Sequence, residues 1–304
     1  GYEERGDKYI SETSEAQLAK MDVAMKQAIA DFSASIGFDR KPFLSFFNMI
    51  DISRSYAGPE YTRKIYDEAV RMAPSFAGTR QKYMVSLESK WGGSLEQMQS
   101  FLAECERDAL PRAQLDLLES MVYVEKADGL EESGDHAGAE SAYRKAIELG
   151  GNECDTCVDV SLSKVLIAED KIDEAIPFLT RYIDAHPSDM ESIGWRGSLY
   201  LKIRKVPEAV ADLTEAASAG SVQAQNQLGV LYMTGVPGYM RINVEEGVRW
   251  LRKAAAQGDP DAQHNLPIAE QLLTTIQQAK QNDSRGAESS TASGAFAKPD
   301  TGKP

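Results

Sequence analysis

The sequence feature that most constrains this chain is a period. Residues 136–146, 172–182, 206–216 and 244–254 superpose on one another without gaps. Each segment carries a small residue, then a large apolar residue four positions on and a packing residue seven positions on. The small anchors are Ala139, Ala175, Ala209 and Gly247, spaced by 36, 34 and 38 residues. The large residues are Tyr143, Leu179, Leu213 and Leu251. Offsets of four and seven fall on one stripe of an α-helix, where a small residue admits a neighbouring helix and the bulky one fills the space beside it. A period near 35 residues therefore predicts a chain of helical units, none able to bury its apolar face alone.

A second helix precedes each of these segments. Residues 193–200 lead into the Ala209 helix and 227–232 into the Gly247 helix, with turns at Ser133-Gly134-Asp135 and Val236-Pro237-Gly238. Helix–turn–helix units of this length, with Gly, Tyr, Ala and a trailing Pro, resemble the tetratricopeptide repeat. Pro187 stands 12 residues after Ala175, where that family places its closing proline, and Gly151 replaces it in the first unit. The last unit is more specific. Ala224-x-x-Gln227-Leu228-Gly229-x-x-Tyr232-x-x-Gly235 continues to Trp250-Leu251-x-x-Ala254-Ala255-x-x-Gly258-Asp259-x-x-Ala262-Gln263. That pattern resembles the Sel1-like repeat, and Ala216-Ala217-x-x-Gly220 resembles the tail of a preceding unit. Pro267 occupies a glycine position and removes an amide donor, so a variant capping helix is expected over about 261–281.

Upstream of the repeats the pattern loosens. Leu18, Met21, Met25, Ile29, Phe32 and Ile36 step as an amphipathic helix. Pro59–Ala73, Gly78–Lys90 and Ser94–Asp108 read as three more, broken at Pro74 and Gly92-Gly93. The dense apolar run Phe43–Ile50 reads as buried core in preference to an exposed patch. Lys90-Trp91-Gly92-Gly93-Ser94, followed by Met98 and Phe101, resembles a bacterial family of unknown function that often precedes such repeats; it implies no activity. The expected fold is all-α, a right-handed α-solenoid with an irregular helical N-terminal region. Its divisions are 1–110 (irregular helices), 111–220 (tetratricopeptide-like units), 221–282 (Sel1-like repeat and capping helix) and 283–304. This last segment holds one large apolar residue, Phe296, and is expected to be a disordered tail.

Composition narrows the function. With 33 Lys and Arg against 47 Asp and Glu, the formal net charge is −14, and such a surface repels phosphate, which argues against nucleic-acid or anionic-membrane binding. No run approaches the 18 to 20 apolar residues of a membrane span. The chain begins Gly1-Tyr2-Glu3-Glu4 without an initiator Met. It is read as either a processed protein or a trimmed chain, so a missing targeting signal is weak evidence for the cytoplasm, and a location outside the cytoplasm or tethered to the envelope is slightly favoured.

The parts of a catalytic site are missing from the pattern. His136, His186 and His264 fall on three different units at solvent-leaning positions, whereas a metal or a Ser-His-Asp arrangement needs convergence. Asp173, Glu174, Glu208, Glu245 and Glu246 sit at helix N-termini, where they complement the helix dipole. No Gly-x-x-x-x-Gly-Lys-Ser/Thr loop is present. Neither catalysis, nor a cofactor, nor a metal is expected. Cys154-Asp-Thr-Cys157 stays open between a short disulfide and two free thiols, with a redox or metal role as a third alternative, while Cys105 stands alone.

The tetratricopeptide resemblance implies a concave groove lined by the first helix of each unit. Its positions here are Val160, Lys164 and Ile167, then Gly194, Ser198 and Lys202, then Asn226, Val230 and Met233. The first unit places Val124 and Asp128 where chaperone-binding members carry a Lys and Asn clamp, which argues against capture of a chaperone's acidic tail. Each groove residue has a plain alternative in inter-helix packing. The resulting expectation is a protein-interaction scaffold whose groove suits a partly apolar peptide or helix of acidic character, with an envelope or membrane protein among the candidate partners. The alternatives are an enzyme or thiol-redox protein with its site in residues 1–110 or at Cys154/Cys157, and an oligomerisation module.

Overall fold

The computed structural model describes residues 14–38, 42–150 and 157–293, the last eleven as backbone. Two compact units divide the chain between Glu169 and Asp170. The first holds α1 (Glu15–Phe38), α2 (Phe43–Tyr56), α3 (Pro59–Met72), α4 (Ala77–Ser86), α5 (Leu95–Arg107), α6 (Arg112–Glu132), α7 (His136–Glu148) and α8 (Cys157–Ala168). The second holds α9 (Ile172–Ala185), α10 (Met190–Lys202), α11 (Val206–Ala219), α12 (Val222–Thr234), α13 (Val244–Ala256) and α14 (Pro260–Ser293). Each unit is all-α, its helices stacked in chain order in the solenoid manner, with α6/α7, α10/α11 and α12/α13 packed as hairpins. Among the described residues the strand-like pairing is limited to one bridge, Val236 to Met240.

Helix starts are written into the sequence. Ser94, Asp135, Asp189, Ser221 and Asn243 each accept a hydrogen bond from the amide three residues on, so an otherwise unpaired donor is satisfied at the head of α5, α7, α10, α12 and α13. Pro207 takes the first turn of α11, where no donor is needed. The periodic stripe is the core: Ala139, Tyr143, Ala146, Ala209, Leu213 and Ala216 are wholly buried. In α9 the packing position moves by one. Ile183 is buried, while Tyr182 is half-exposed, stacks on His186 at 4.5 Å and donates to Asp189 Oδ2 at 3.1 Å.

The N-terminal helices build a separate aromatic core. Tyr66 and Tyr83 stack at 4.4 Å and Phe101 sets its edge against both, at 5.4 and 4.9 Å. Within the Phe43–Ile50 run, Met49 and Ile50 are buried in this core, Phe43 and Phe47 lie half-buried against Phe76, and Leu44 alone is strongly exposed. The segment expected as one helix over Gly78–Lys90 is instead α4 and a 3-10 turn, Ser89–Trp91. The break follows from Gly92, whose φ of +86° closes the turn, and from Glu88 O, which accepts from the amides of both Trp91 and Gly93. At the far end α14 passes through Pro267 and continues to Ser293, beyond the expected end near 281; residues 294–304 lie outside the described part.

Candidate functional site

The candidate face is clearest within the second unit, where the first helices of two successive hairpins, α10 and α12, lie side by side. Glycines on their packed sides bring the helices together. A Cβ on Gly194 would stand 3.3 Å from Ala216 Cβ and 3.5 Å from Ala224 Cβ, and one on Gly197 would stand 3.0 Å from Leu213. Gly229 and Gly247 form a reciprocal crossing of α12 and α13: a Cβ on either would lie within 3.2 Å of the other's carbonyl oxygen. Arg196 locks the α10/α11 hairpin. Its Nε and Nη2 donate to the two carboxylate oxygens of Asp212 at 2.8 and 3.0 Å, and Nη1 reaches Thr180 Oγ1 on α9 at 3.3 Å.

The positions assigned to the groove from the sequence have mixed surroundings. Ser198 Oγ stands 3.0 Å from Gly194 O and 2.7 Å from Gln227 Oε1, tying α10 to α12 through its single proton. Lys202 is exposed and has no ion-pair partner among the described residues, and Val230 is 38% exposed. The Oδ1 of Asn226 is buried and meets no donor among the described residues. Met233 is half-buried over Gly247 and shares the apolar cluster of α13 and α14, so packing already engages it. On α8, in the first unit, Val160 and Ile167 are half-buried and Lys164 is exposed. Asp128, the residue in place of the clamp, accepts a hydrogen bond from Tyr143 at 2.5 Å.

Residues 222–259, from α12 through the turn after α13, match the Sel1 repeat family. The chain is a helical repeat protein with a Sel1 repeat. Solved structures with similar backbones include YrrB, described as a tetratricopeptide protein with an unusual peptide-binding site. It is 16% identical, with a TM-score of 0.38, over 77% of this chain and 96% of that one. MamA is 18% identical, with a TM-score of 0.45, over 60% and 97%. A tetratricopeptide repeat protein from Parabacteroides merdae is 14% identical, with a TM-score of 0.38, over 83% and 94%. The comparison with curated proteins gives no match.

The two helices of this repeat are joined by nine residues, 235–243, where α10 and α11 are joined by three, 203–205. Gly235 opens this loop at φ +66° and Gly238 turns it at φ +83°. Val236 and Met240 exchange two backbone hydrogen bonds, at 2.8 and 2.9 Å, and Asn243 N donates to Tyr232 O at 2.8 Å. This loop, the Arg196–Asp212 pair and the Arg54 guanidinium 4.4 Å above the Trp91 ring escape the sequence reading. Only the Val236-Pro237-Gly238 turn signal pointed toward any of them.

Chemistry-bearing groups stay dispersed. Among the described residues no group of three or more His, Cys, Asp or Glu is placed to hold a metal ion, and no helix among them is long and apolar enough to cross a membrane. Cys154 and the Cys157 side chain, and with them the disulfide question, lie outside the described residues. Cys105 is wholly buried on α5, and burial pushes its thiol up to about 11. Because the thiolate is the nucleophile, only about 0.1% of it would be reactive at pH 8. Iodoacetamide is therefore expected to label Cys105 at least ~100-fold more slowly in the native protein than in urea, as read by peptide mass mapping. Equal rates in the two states would show that α5 is open.

Proposed function

We propose that this chain is a non-catalytic protein–protein interaction scaffold that holds a partly apolar, acidic peptide or helix of a partner protein against the first helices of its repeats. Within the second unit Ser198 and Lys202 contribute from α10, and Asn226, Val230 and Met233 from α12; within the first, Val160, Lys164 and Ile167 of α8 are a separate stretch of the same kind. One observation supports this reading most. On the α10/α12 face an exposed apolar side chain, Val230, and a cation without an ion-pair partner among the described residues, Lys202, remain, whereas the other sides of the same helices are filled by glycine contacts and the Arg196–Asp212 pair. An extended segment would supply an apolar side chain for Val230 and a carboxylate for Lys202.

A photo-crosslinking amino acid at position 230 tests this against one at position 249, an exposed site on the second helix of the same hairpin. Incubated with bacterial lysate and solubilised membranes, the chain is expected to give a discrete crosslinked partner from position 230 and none from 249. Crosslinks from 249 alone would contradict the face.

A further inference from the structure

The Sel1 repeat's loop creates a second surface, distinct from the α10/α12 face. A cleft of about 590 Å³ opens between the start of α11 (Val206, Pro207, Val210), Tyr232 on α12, and Tyr239 and Ile242 on the loop. A recess of about 610 Å³ lies against the loop and shares Tyr239 and Ile242 with it. These two side chains are 68% and 63% exposed. Large apolar groups set together beside a concavity mark a contact surface, whereas scattered ones do not. The loop is also held in shape by the Val236–Met240 pair and by the Asn243–Tyr232 hydrogen bond, so a ligand would meet it with little ordering cost.

Charge selects the occupant. Arg241 lines the cleft and has no ion-pair partner among the described residues. Arg204 and Lys205 form the exposed turn that leads directly into its Val206–Pro207 wall, with Lys205 Nζ 6.0 Å from the Tyr200 ring. The exposed carboxylates on the adjoining elements are Glu208 and Glu215 on α11 and Glu245 on α13, with Glu246 half-exposed; none of them lines the cleft, where Arg241 is the one charged side chain. At physiological ionic strength fields are screened within about 8 Å, so Arg241 in the lining itself acts on anything seated there more strongly than the chain's net charge of −14 does.

We propose that this cleft takes an aromatic or large aliphatic side chain of a partner's acidic linear segment, with Arg241 engaging a flanking carboxylate. The apolar side chain fills the space between Pro207, Tyr232 and Ile242, and Tyr239 closes over it. This assignment does not depend on the α10/α12 face.

A displayed random library of peptides about twelve residues long, selected on the full chain, tests the assignment. The enriched peptides are expected to pair Trp, Phe or Leu with at least two acidic residues. A resynthesised peptide should lose about tenfold or more in affinity, by fluorescence anisotropy, on the Tyr239→Ser/Arg241→Glu/Ile242→Ser variant, and should weaken as salt is raised. These are exposed loop positions, and circular dichroism confirms that the variant folds. A Lys202→Glu/Val230→Glu variant should bind the same peptide within about twofold of the parent, so the two surfaces fail separately. The assignment is overturned if nothing enriches, if the enriched peptides are basic, or if the loop variant binds unchanged. It is also overturned if a peptide of residues 290–304 competes, or if sedimentation shows a dimer that the loop variant abolishes; these results would seat the chain's own C-terminal segment or a second copy there.

Discussion

Replacing Arg196 by alanine is expected to destabilise the second unit by about 3–5 kcal/mol, the cost of leaving a buried carboxylate without its partner. The side chains of Arg196 and Asp212 are only 16% and 10% exposed, so water screens the pair poorly. The forked geometry supplies two hydrogen bonds to one carboxylate, and a third to Thr180. The same hydrogen bonding to Asp212 raises the guanidinium's pKa above its ordinary value, so the cation persists at any pH the fold survives. Loss of Arg196 therefore strands Asp212 between α10 and α11. An Arg196→Met/Asp212→Leu double variant removes both charges together and should recover most of the loss, because the single deletion measures an orphaned charge more than the net worth of the pair. Urea unfolding followed by circular dichroism checks both. An Arg196→Ala cost below about 1 kcal/mol would mean that Asp212 is solvated and that the hairpin is not locked as described.

The second large effect belongs to Gly93. A Cβ there would stand 2.0 Å from Leu87 O, 2.3 Å from its carbonyl carbon and 2.7 Å from its Cα. The obstacle is backbone, which no rotamer change relieves, so Gly93→Ala must prise the 3-10 turn away from the end of α4. A cost of about 3 kcal/mol is expected, the upper part of the range for overpacking. Gly92 needs its freedom for another reason: there is open space around its Cβ, but its φ is +86°, and Gly92→Ala should cost about 1–2 kcal/mol. Because this turn presents Trp91 to Arg54, Gly93→Ala should also change the near-ultraviolet signal of tryptophan at low denaturant. Equal costs at positions 92 and 93 would contradict the steric reading.

These two sites also show what the sequence could reveal. The glycine pair announced a break but not its cause, since the clash at Gly93 lies with a residue six positions back, across a turn that no periodicity encodes. Arg196 and Asp212 sit 16 residues apart on two helices that are each legible; their meeting depends on how the hairpin closes. The stripe of Ala139, Ala175, Ala209 and Gly247 was legible because each unit's core contacts are local, which also made the all-α repeat architecture readable before any coordinates. In the candidate face, the spacing identified the stripe but not each side chain's fate. Val230 stays exposed, Ser198 is tied to Gln227, and Met233 is drawn over Gly247 by a gap that only the helix crossing creates. The Tyr239–Ile242 surface was hidden because loop conformation follows from a backbone pairing between residues 236 and 240, not from hydrophobic period.

The scaffold reading meets its most direct test in a paired capture experiment from bacterial lysate including solubilised membranes. The baits are the full chain and a Lys202→Glu/Val230→Glu variant, both positions exposed in the second unit and both baits shown to fold by circular dichroism. The expected result is a defined partner retained by the parent and lost from the variant. Retention of the same partners by both baits would contradict the assignment of the first-helix face.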